Sequence, residues 1–135
     1  MDFKALDVIE SGLYAERIRL NTITTNIANI ESYQPNGQPF KELVPVFKAK
    51  ITEETFKDGT APVEVVAIKQ IDLPTQKVYD PENPMADKEG YVEKPNISLV
   101  KEMADLITAT RTYEANLNAL TLNRDLMLKT IEMWG

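Results

Sequence analysis

The stretch that decides the fold is residues 99–134, "LVKEMADLITATRTYEANLNALTLNRDLMLKTIEMW", which has the pattern of one long helix. Apolar side chains recur in it every seven residues, as in a helix that packs along a second helix. The first row contains Leu99, Leu106, Tyr113, Leu120, Met127 and Trp134, and the companion row contains Met103, Thr110, Leu117, Arg124 and Ile131. Asn96 or Ser98 precedes the stretch as a candidate N-cap. The pattern predicts a helix about 54 Å long.

The first 33 residues carry a matching pattern. One row contains Leu6, Leu13, Leu20 and Ile27, and the other contains Ile9, Glu16, Ile23 and Ile30. Thr and Asn residues between 21 and 29 lower the helix propensity, so we expect this helix to depend on packing against another element. It is predicted to end between residues 30 and 33.

The two patterns predict an antiparallel helix pair. In such a pair, the numbers of facing residues sum to a constant, and a sum of 140 keeps apolar residues in every layer, for example Leu13 opposite Met127. The same sum sets Glu16 opposite Arg124, so that the two charges that interrupt the rows form one pair. We therefore predict this register.

Several apolar residues lie outside the two rows of each helix. They are Ile18, Val100, Ile107, Leu122 and Leu128. Something other than the paired helix must cover them, because apolar side chains outside the paired face are left in contact with water. This favours a building block of an oligomer over a closed monomer.

Residues 34–96 do not continue the helical pattern. Pro35 and Pro39 cannot lie inside a helix, and Asn36-Gly37 between them is a strong turn dipeptide. The helix must therefore end before this segment.

Two β-branched stretches follow, "LVPVFKAKI" at 43–51 and "VEVVAIKQI" at 63–71, and the turn-like "KDGTAP" separates them. They predict a β-hairpin. Residues 73–96 contain four prolines among polar residues and predict an extended loop, with a short strand at 77–79.

The predicted fold class is therefore mainly α with a small β segment (α+β). The N- and C-terminal helices form an antiparallel coiled-coil pair, and a β-hairpin and an extended loop are inserted between them. Residues 1–33 and 97–135 make up the helical core, and residues 34–96 make up the β and loop insertion.

Composition excludes several functions. The chain has 21 acidic and 15 basic residues, a net charge of -6, so it lacks the basic surface that nucleic acids require. It has no Cys and no His, which removes the commonest metal ligands and the commonest general base. No apolar run approaches the ~20 residues of a membrane span. We expect no cofactor, no metal site, no catalytic residue and no direct membrane insertion.

The N-terminus gives an expectation about location. Residues 1–20, "MDFKALDVIESGLYAERIRL", contain no apolar stretch like that of a cleavable signal. We expect the protein either to stay in the cytoplasm or to leave it by a route that cleaves no signal.

An acidic group in the loop is the remaining candidate for chemistry. It contains Asp80, Glu82, Asp87, Glu89 and Glu93. Met85 occupies the place where a calcium loop has its turn glycine, so a solvated loop is the favoured interpretation. A hydrolase that uses Asp80 and Asp87 is the enzymatic alternative.

Asn26 and Asn29 lie three residues apart near the predicted end of the first helix. Two interpretations are open. The pair could recognise a partner, or it could satisfy free carbonyl groups of the last helical turn.

Two motifs of the sequence are similar to those of a known family. "LNTITTNIANIES", followed by "PNGQPF", resembles the N-terminal signature of the bacterial flagellar axial family of rod, hook and hook-associated proteins, in which a helix ends in "ANxx", here 28–31. "YDPENPMADKEGYVEKPN" and "EMADLITATRTYEAN" resemble its C-terminal pattern. One departure is Glu31-Ser32-Tyr33, where other members often have Thr and Gly-Tyr.

The resemblance implies a structural subunit of the proximal rod, which polymerises through its terminal helices and transmits torque. It also implies export by the flagellar type III apparatus without signal cleavage, and a place in the periplasmic rod. The implied partners are copies of itself, other proximal rod proteins, the ring-to-rod junction protein and the distal rod proteins. The implied assembly motif consists of Asn26, Ala28, Asn29, Gly90, Tyr91, Pro95, Asn96, Arg111, Tyr113 and Asn116. A cytosolic coiled-coil secretion chaperone or adaptor is the alternative.

Overall fold

The computed structural model describes residues 3–134. Its elements in chain order are α1 (Phe3–Ala28), β1 (Leu43–Ala49), α2 (Glu53–Asp58), β2 (Val63–Gln70), β3 (Gln76–Tyr79), β4 (Tyr91–Lys94) and α3 (Leu99–Trp134). The helices α1 and α3 lie antiparallel, and the strands form two antiparallel sheets, β1–β2 and β3–β4. The predicted fold class, mainly α with a small β part between terminal helices, is confirmed.

The α1–α3 register differs from the predicted one. Asn26 Nδ2 lies 3.4 Å from Glu102 Oε2. A Cβ added to Gly12 would lie 3.2 Å from Asn116 Nδ2. Both pairs sum to 128, so the predicted sum of 140 is wrong by more than three helical turns.

The residues that set this register are small or polar. In α3 the inward companion row is Glu102, Ala109, Asn116 and Asn123, while Met103, Thr110, Leu117, Arg124 and Ile131, predicted for that row, are exposed. Gly12 faces Asn116, and the same register sets Arg19 opposite Ala109, so a small residue in each layer lets the helices approach closely. The predicted register was chosen so that apolar residues face each other, and that criterion could not identify a row of small and polar residues.

The predicted pair of Glu16 and Arg124 is accordingly wrong. Glu16 Oε2 lies 3.3 Å from Arg19 Nε on its own helix, and Arg124 Nη2 lies 3.9 Å from the neighbouring Asp125 Oδ1. Both rows of the first helix and the first row of α3 fare better. In α1, Leu6, Ile9, Leu13, Leu20 and Ile27 are partly buried and Ile23 is buried, and Ile30, just after the helix, is partly buried. In α3, Leu106, Tyr113, Leu120 and Met127 are partly buried, whereas Leu99 is exposed.

The helix α3 is longer than its partner. It has 36 residues and α1 has 26. In the observed register Phe3 lies opposite residue 125, so residues 126–134 extend past the described part of α1. Trp134, placed in the first row by the sequence, is 87% exposed.

The β1–β2 hairpin packs on α1. Val63 N donates to Ser11 Oγ at 2.9 Å, and the Arg19 guanidinium lies 4.6 Å from the centre of the Phe47 ring. Both predicted strands are confirmed. The connection between them contains α2, which the sequence did not predict. Thr52 and Thr55 form a capping box at its start, and Gly59 ends it at a φ of 75°.

The β3–β4 sheet lies before α3. The predicted short strand at 77–79 is confirmed, and β4, its partner, was not predicted. Gly90 precedes β4 with a φ of 88°, and a Cβ at this position would lie 2.9 Å from Tyr79 Cε2. Only glycine fits this turn without displacing the tyrosine.

The buried core is small. Its apolar members with less than a tenth of their surface exposed are Ala15, Ile23, Val92, Ile97 and Ala109. The accessible surface is 9673 Å², whereas a compact monomer of this mass exposes about 7,100 Å². The chain is therefore elongated and leaves an unusually large surface uncovered.

Candidate assembly surface

The end of α1 is held by the side chain of Asn26. Its Nδ2 donates to Leu43 O at 2.9 Å, and its Oδ1 accepts from Leu43 N at 2.8 Å. The second Nδ2 hydrogen points to Glu102 Oε2 at 3.4 Å. One buried amide thus joins α1 to the start of β1 and the start of α3.

Two carboxyl groups are buried beside this amide. The residues Glu42 and Glu102 are only 6% and 2% exposed. The pKa of Glu102 is raised to about 7, chiefly by burial and then by its contact with Glu42, while the Asn26 amide acts in the opposite direction. Lys101 Nζ lies 3.5 Å from Glu42 Oε1.

The start of α3 is fixed by Ser98. Its Oγ accepts from Lys101 N at 3.2 Å, the bond that an N-cap makes to the first helical turn. Of the two predicted candidates, Asn96 and Ser98, the structure selects Ser98. This cap directs α3 along α1 from the junction at Asn26.

The outward side of α3 is apolar at both ends. Near its start the exposed group is Val100, Met103 and Ile107, and near its end it is Leu122, Leu126, Leu128 and Met133. Leu99, Ile131 and Trp134 are also exposed, but they lie on the side of α3 toward α1. Val100 is 80% and Met133 84% exposed. We call these two groups together the outer face of α3. Of the five apolar residues that the sequence placed outside the rows, Val100, Ile107, Leu122 and Leu128 belong to it.

An apolar groove lies between the N-terminal part of α1 and the C-terminal half of α3. Its volume is about 490 Å³, and its lining includes Leu6, Leu117, Leu120, Met127 and Ile131. Covering the apolar side chains of such a groove with a further apolar surface is favourable, because it removes them from water. The groove extends the outer face of α3 around toward α1.

Apart from Asn29, five residues of the implied assembly motif have buried or intramolecular roles. Asn26 and Pro95 are buried, Gly90 forms the turn before β4, and Asn116 lies against Gly12. Tyr113 is half-buried and lines a hollow with Leu13, Tyr14 and Arg17.

Asn29, one residue past the end of α1, bonds back to that helix. Its Nδ2 donates at 2.8 Å to Thr25 O, which also accepts from Asn29 N at 3.1 Å, whereas Asn26 reaches two other elements. The two asparagines therefore differ in role. Both interpretations from the sequence treated the two asparagines as one pair, because residues three apart share a helical face.

Four motif residues lie at the surface. They are Ala28, Tyr91, Asn96 and Arg111. Tyr91 is 41% exposed and packs edge-on against Tyr79, with 5.4 Å between the ring centres. These residues are open to a neighbouring subunit, and the motif as a whole does not form one continuous patch.

Sequence reasoning missed Glu42 and the inward role of Glu102. Glu42 precedes a predicted strand and has no periodic partner, so nothing in its surroundings marks it as buried. For Glu102 the available signal was the spacing of seven that joins it to Ala109 and Ala109 to Asn116.

The acidic loop is organised by hydrogen bonds to its own backbone. Asp87 Oδ1 accepts from Glu89 N and Tyr91 N, each at 2.9 Å, and these bonds lower the pKa of Asp87. Asn83 Nδ2 lies 3.4 Å from Asp80 Oδ2. Among the residues that the structure describes, no three acidic side chains are grouped to hold a metal ion.

Neither of the two long helices could cross a membrane. Within the described residues, none of the helices combines the necessary length with sufficient apolar character.

An elongated helix pair with an uncovered apolar face and a small β insertion defines the class of this protein, a structural subunit of a larger assembly.

Comparison with known proteins gives the particular family. Residues 6–31 match the family described as "Flagella basal body rod protein", and residues 88–133 match "Flagellar basal body rod FlgEFG protein C-terminal". The chain is 51% identical over 135 residues to the flagellar basal-body rod protein FlgC of Aquifex aeolicus (strain VF5), covering 98% of this chain and 96% of the relative.

Two more distant relatives agree. The chain is 36% identical to the FlgC protein of Salmonella typhimurium, covering 94% of this chain and 93% of the relative. It is 34% identical to that of Bacillus subtilis (strain 168), covering 97% of each chain.

The chain belongs to the flagellar basal-body rod protein family and is a structural component of the flagellar rod. The predicted resemblance is confirmed, and the chaperone alternative finds no support.

Proposed function

We propose that this chain is a subunit of the proximal rod, and that it transmits torque through contacts of its terminal helices. Its neighbours are further copies of itself, the other proximal rod proteins, the ring-to-rod junction protein and the distal rod proteins. It reaches the periplasm through the flagellar type III apparatus without signal cleavage. The role is mechanical, with no catalytic step and no cofactor.

The outer face of α3 is the observation that carries this proposal. The chain exposes about 2,500 Å² more than a compact monomer of its mass, an area in the range that obligate interfaces bury. Burying apolar surface yields roughly 25 cal/mol per Å², so coverage by neighbours would supply the cohesion of the rod.

The chain divides into two parts in this proposal. Residues 1–33 and 97–135 form the tube of the rod, and residues 34–96 lie outward or against neighbours. The β1–β2 hairpin rests on α1 through Ser11 and Arg19. This arrangement supports a tube of helices with a β layer around it.

The assembly motif acts in two ways in this proposal. Asn26, Asn29, Gly90, Pro95, Tyr113 and Asn116 act indirectly, by fixing the helices and the turn before β4. Ala28, Tyr91, Asn96 and Arg111 contact neighbouring subunits, which their exposure supports.

A complementation experiment tests the proposal. A strain that lacks the gene receives the wild-type chain, the double variant V100K/I107K, or the matched control V100L/I107L. The lysine variant should still be secreted but give no complete rods in electron micrographs and no swimming, because charged groups cannot be buried in the interface. The leucine variant should swim.

Loss of folding is excluded by a separate measurement. Because Val100 and Ile107 are 80% and 56% exposed, the purified lysine variant should keep the circular dichroism of the wild-type chain. Normal swimming with complete rods in the lysine strain would overturn the proposal.

A further inference from the structure

Two acidic side chains meet at the junction of α1, β1 and α3. Glu102 is on the first turn of α3, and Glu42 directly precedes β1. Both residues are more than nine-tenths buried, and contact with Glu42 contributes to the raised pKa of Glu102. A carboxyl pair of this kind cannot be doubly ionised without a large cost, because like charges repel strongly where water is excluded.

The groups around the pair do not supply enough positive charge to balance two ionised carboxylates. From α1, Asn26 offers one neutral N–H to Glu102 at 3.4 Å. From α3, Lys101 reaches Glu42 at 3.5 Å, but its side chain is 63% exposed and therefore screened by water. One negative charge on the pair is accommodated, and a second is not.

We propose that Glu42 and Glu102 form a proton-binding site, in which one shared proton closes the junction between α1, β1 and α3. In the closed state the protonated Glu102 carboxyl donates to the Glu42 carboxylate. When the proton leaves for solvent, two carboxylates face each other and the start of α3 separates from Asn26 and Leu43. The inference concerns the fold of one chain and does not depend on the proposed role in the rod.

The direction of the pH effect follows from the raised pKa of Glu102. An unfolded glutamate titrates near 4.3, while Glu102 in the folded chain titrates at about 7. The stabilisation is therefore fully present below about pH 4.3 and is lost as the pH rises through 7. The junction should be tight in acid and loose in alkali.

The junction also controls the outer face of α3. Val100 and Met103 flank Glu102 in the first turns of the helix and are exposed. Loss of the proton would release the turn that carries them. The site thus couples ambient pH to the position of one end of the outer face of α3.

Carbon-13 NMR of the full-length chain with labelled glutamate carboxyl groups tests the site directly. One glutamate should titrate near pH 7 in the wild-type chain, and E102Q should lack that signal. The matched variant E114Q, at an exposed position of α3, should keep it. If every glutamate of the folded wild-type chain titrates between about pH 3.5 and 5, the proposal is overturned.

Hydrogen exchange at the Leu43 amide reports the state of the junction. After correction for the intrinsic pH dependence of exchange, its protection should fall by at least about tenfold between pH 6 and pH 9 in the wild-type chain. The variant E102Q should show no such fall in protection, because the glutamine side chain at position 102 cannot ionise. An equal fall in E102Q would contradict the inference.

A third variant covers the case in which E102Q does not fold. E42Q removes the like charge, so the titration of Glu102 should move to lower pH while burial still keeps it above 4.3. A titration that stays unchanged in E42Q would show that the two carboxyl groups do not share a proton.

Discussion

The side chain of Asn26 binds the backbone of Leu43 as a neighbouring β-strand would, with Nδ2 2.9 Å from Leu43 O and Oδ1 2.8 Å from Leu43 N. Leu43 is the first residue of β1, at the edge where β2 ends. A helix side chain therefore supplies the bonds that a strand would otherwise make, and this fixes where the β part begins relative to the helix pair.

The first prediction concerns this amide. Asn26→Ala leaves the N–H and C=O groups of Leu43 without these partners in a part-buried position, so the free energy of unfolding should fall by about 2 to 4 kcal/mol. Urea unfolding of the purified chain measures the change. Asn29→Ala is the control, since it removes a single bond within the last turn of α1, and it should cost less than about 1 kcal/mol. Equal losses for the two variants would contradict the account.

The second prediction tests the helix register. The chain has no cysteine, so introduced pairs report without background. Oxidation of G12C/N116C should join α1 and α3 within one chain, because these positions are in contact. L13C/M127C follows the register of sum 140 and should not cross-link within a chain, since its positions are offset by about 18 Å along the helices. Gel mobility after proteolysis between the helices distinguishes the two, and the reverse result would refute the observed register.

The third prediction concerns the turn before β4. Gly90→Ala must combine a left-handed backbone with a methyl group 2.9 Å from Tyr79 Cε2, so it should lower the free energy of unfolding by about 1 to 3 kcal/mol. Gly37→Ala is the matched control, because Gly37 also has a positive φ, 83°, but open space around its Cβ direction. The excess loss in Gly90→Ala over Gly37→Ala isolates the steric contact. If the two variants lose the same stability, the Tyr79 side chain moves aside at no cost and the steric argument is wrong.

The fourth prediction concerns Lys4, which links α1 to α2. Its Nζ lies 2.6 Å from Glu54 Oε1 and 2.9 Å from Asp58 Oδ2. Hydrogen bonds from Thr60 and then Lys4 lower the pKa of Asp58 to about 2. In Lys4→Met this pKa should rise toward its ordinary value but stay below it, because Thr60 remains. Carbon-13 NMR measures the titration.

A control accompanies the lysine variant. Lys48→Met removes an exposed lysine of β1 and should leave the pKa of Asp58 where it is. If Lys4→Met also leaves it unchanged, the contact between α1 and α2 does not exist in solution.

Much of the fold could be predicted because its signals are long and local. The heptad rows of Leu106, Tyr113 and Leu120 extend over many turns, and β-branched residues mark β1 and β2. The proline and glycine positions also show that the first helix must stop before Pro35, although α1 ends at Ala28, earlier than the predicted 30–33. Signals of this kind come from the preference of each segment for its own conformation, and no knowledge of the partner is needed.

The register and the junction could not be predicted because they depend on pairs distant in sequence. Gly12 and Ala109 have no apolar signal, yet their small size decides how closely the helices approach. Asn26 is 17 residues from Leu43 and 76 from Glu102. The short helix α2 was missed because Thr55 occupies the place in its capping box where Glu or Gln is usual. The strand β4 was missed because it exists only by pairing with β3.

The central claim is that the outer face of α3 is uncovered in the free chain and covered in the rod. Maleimide labelling of V100C tests it, in the purified chain and in isolated basal bodies from a strain that carries the variant. Val100 is 80% exposed, so the free chain should label fully, and T22C, at a buried position, should label in neither state. In basal bodies V100C should be protected until the rods are unfolded in denaturant. Equal labelling of V100C in the free chain and in intact rods would contradict the account.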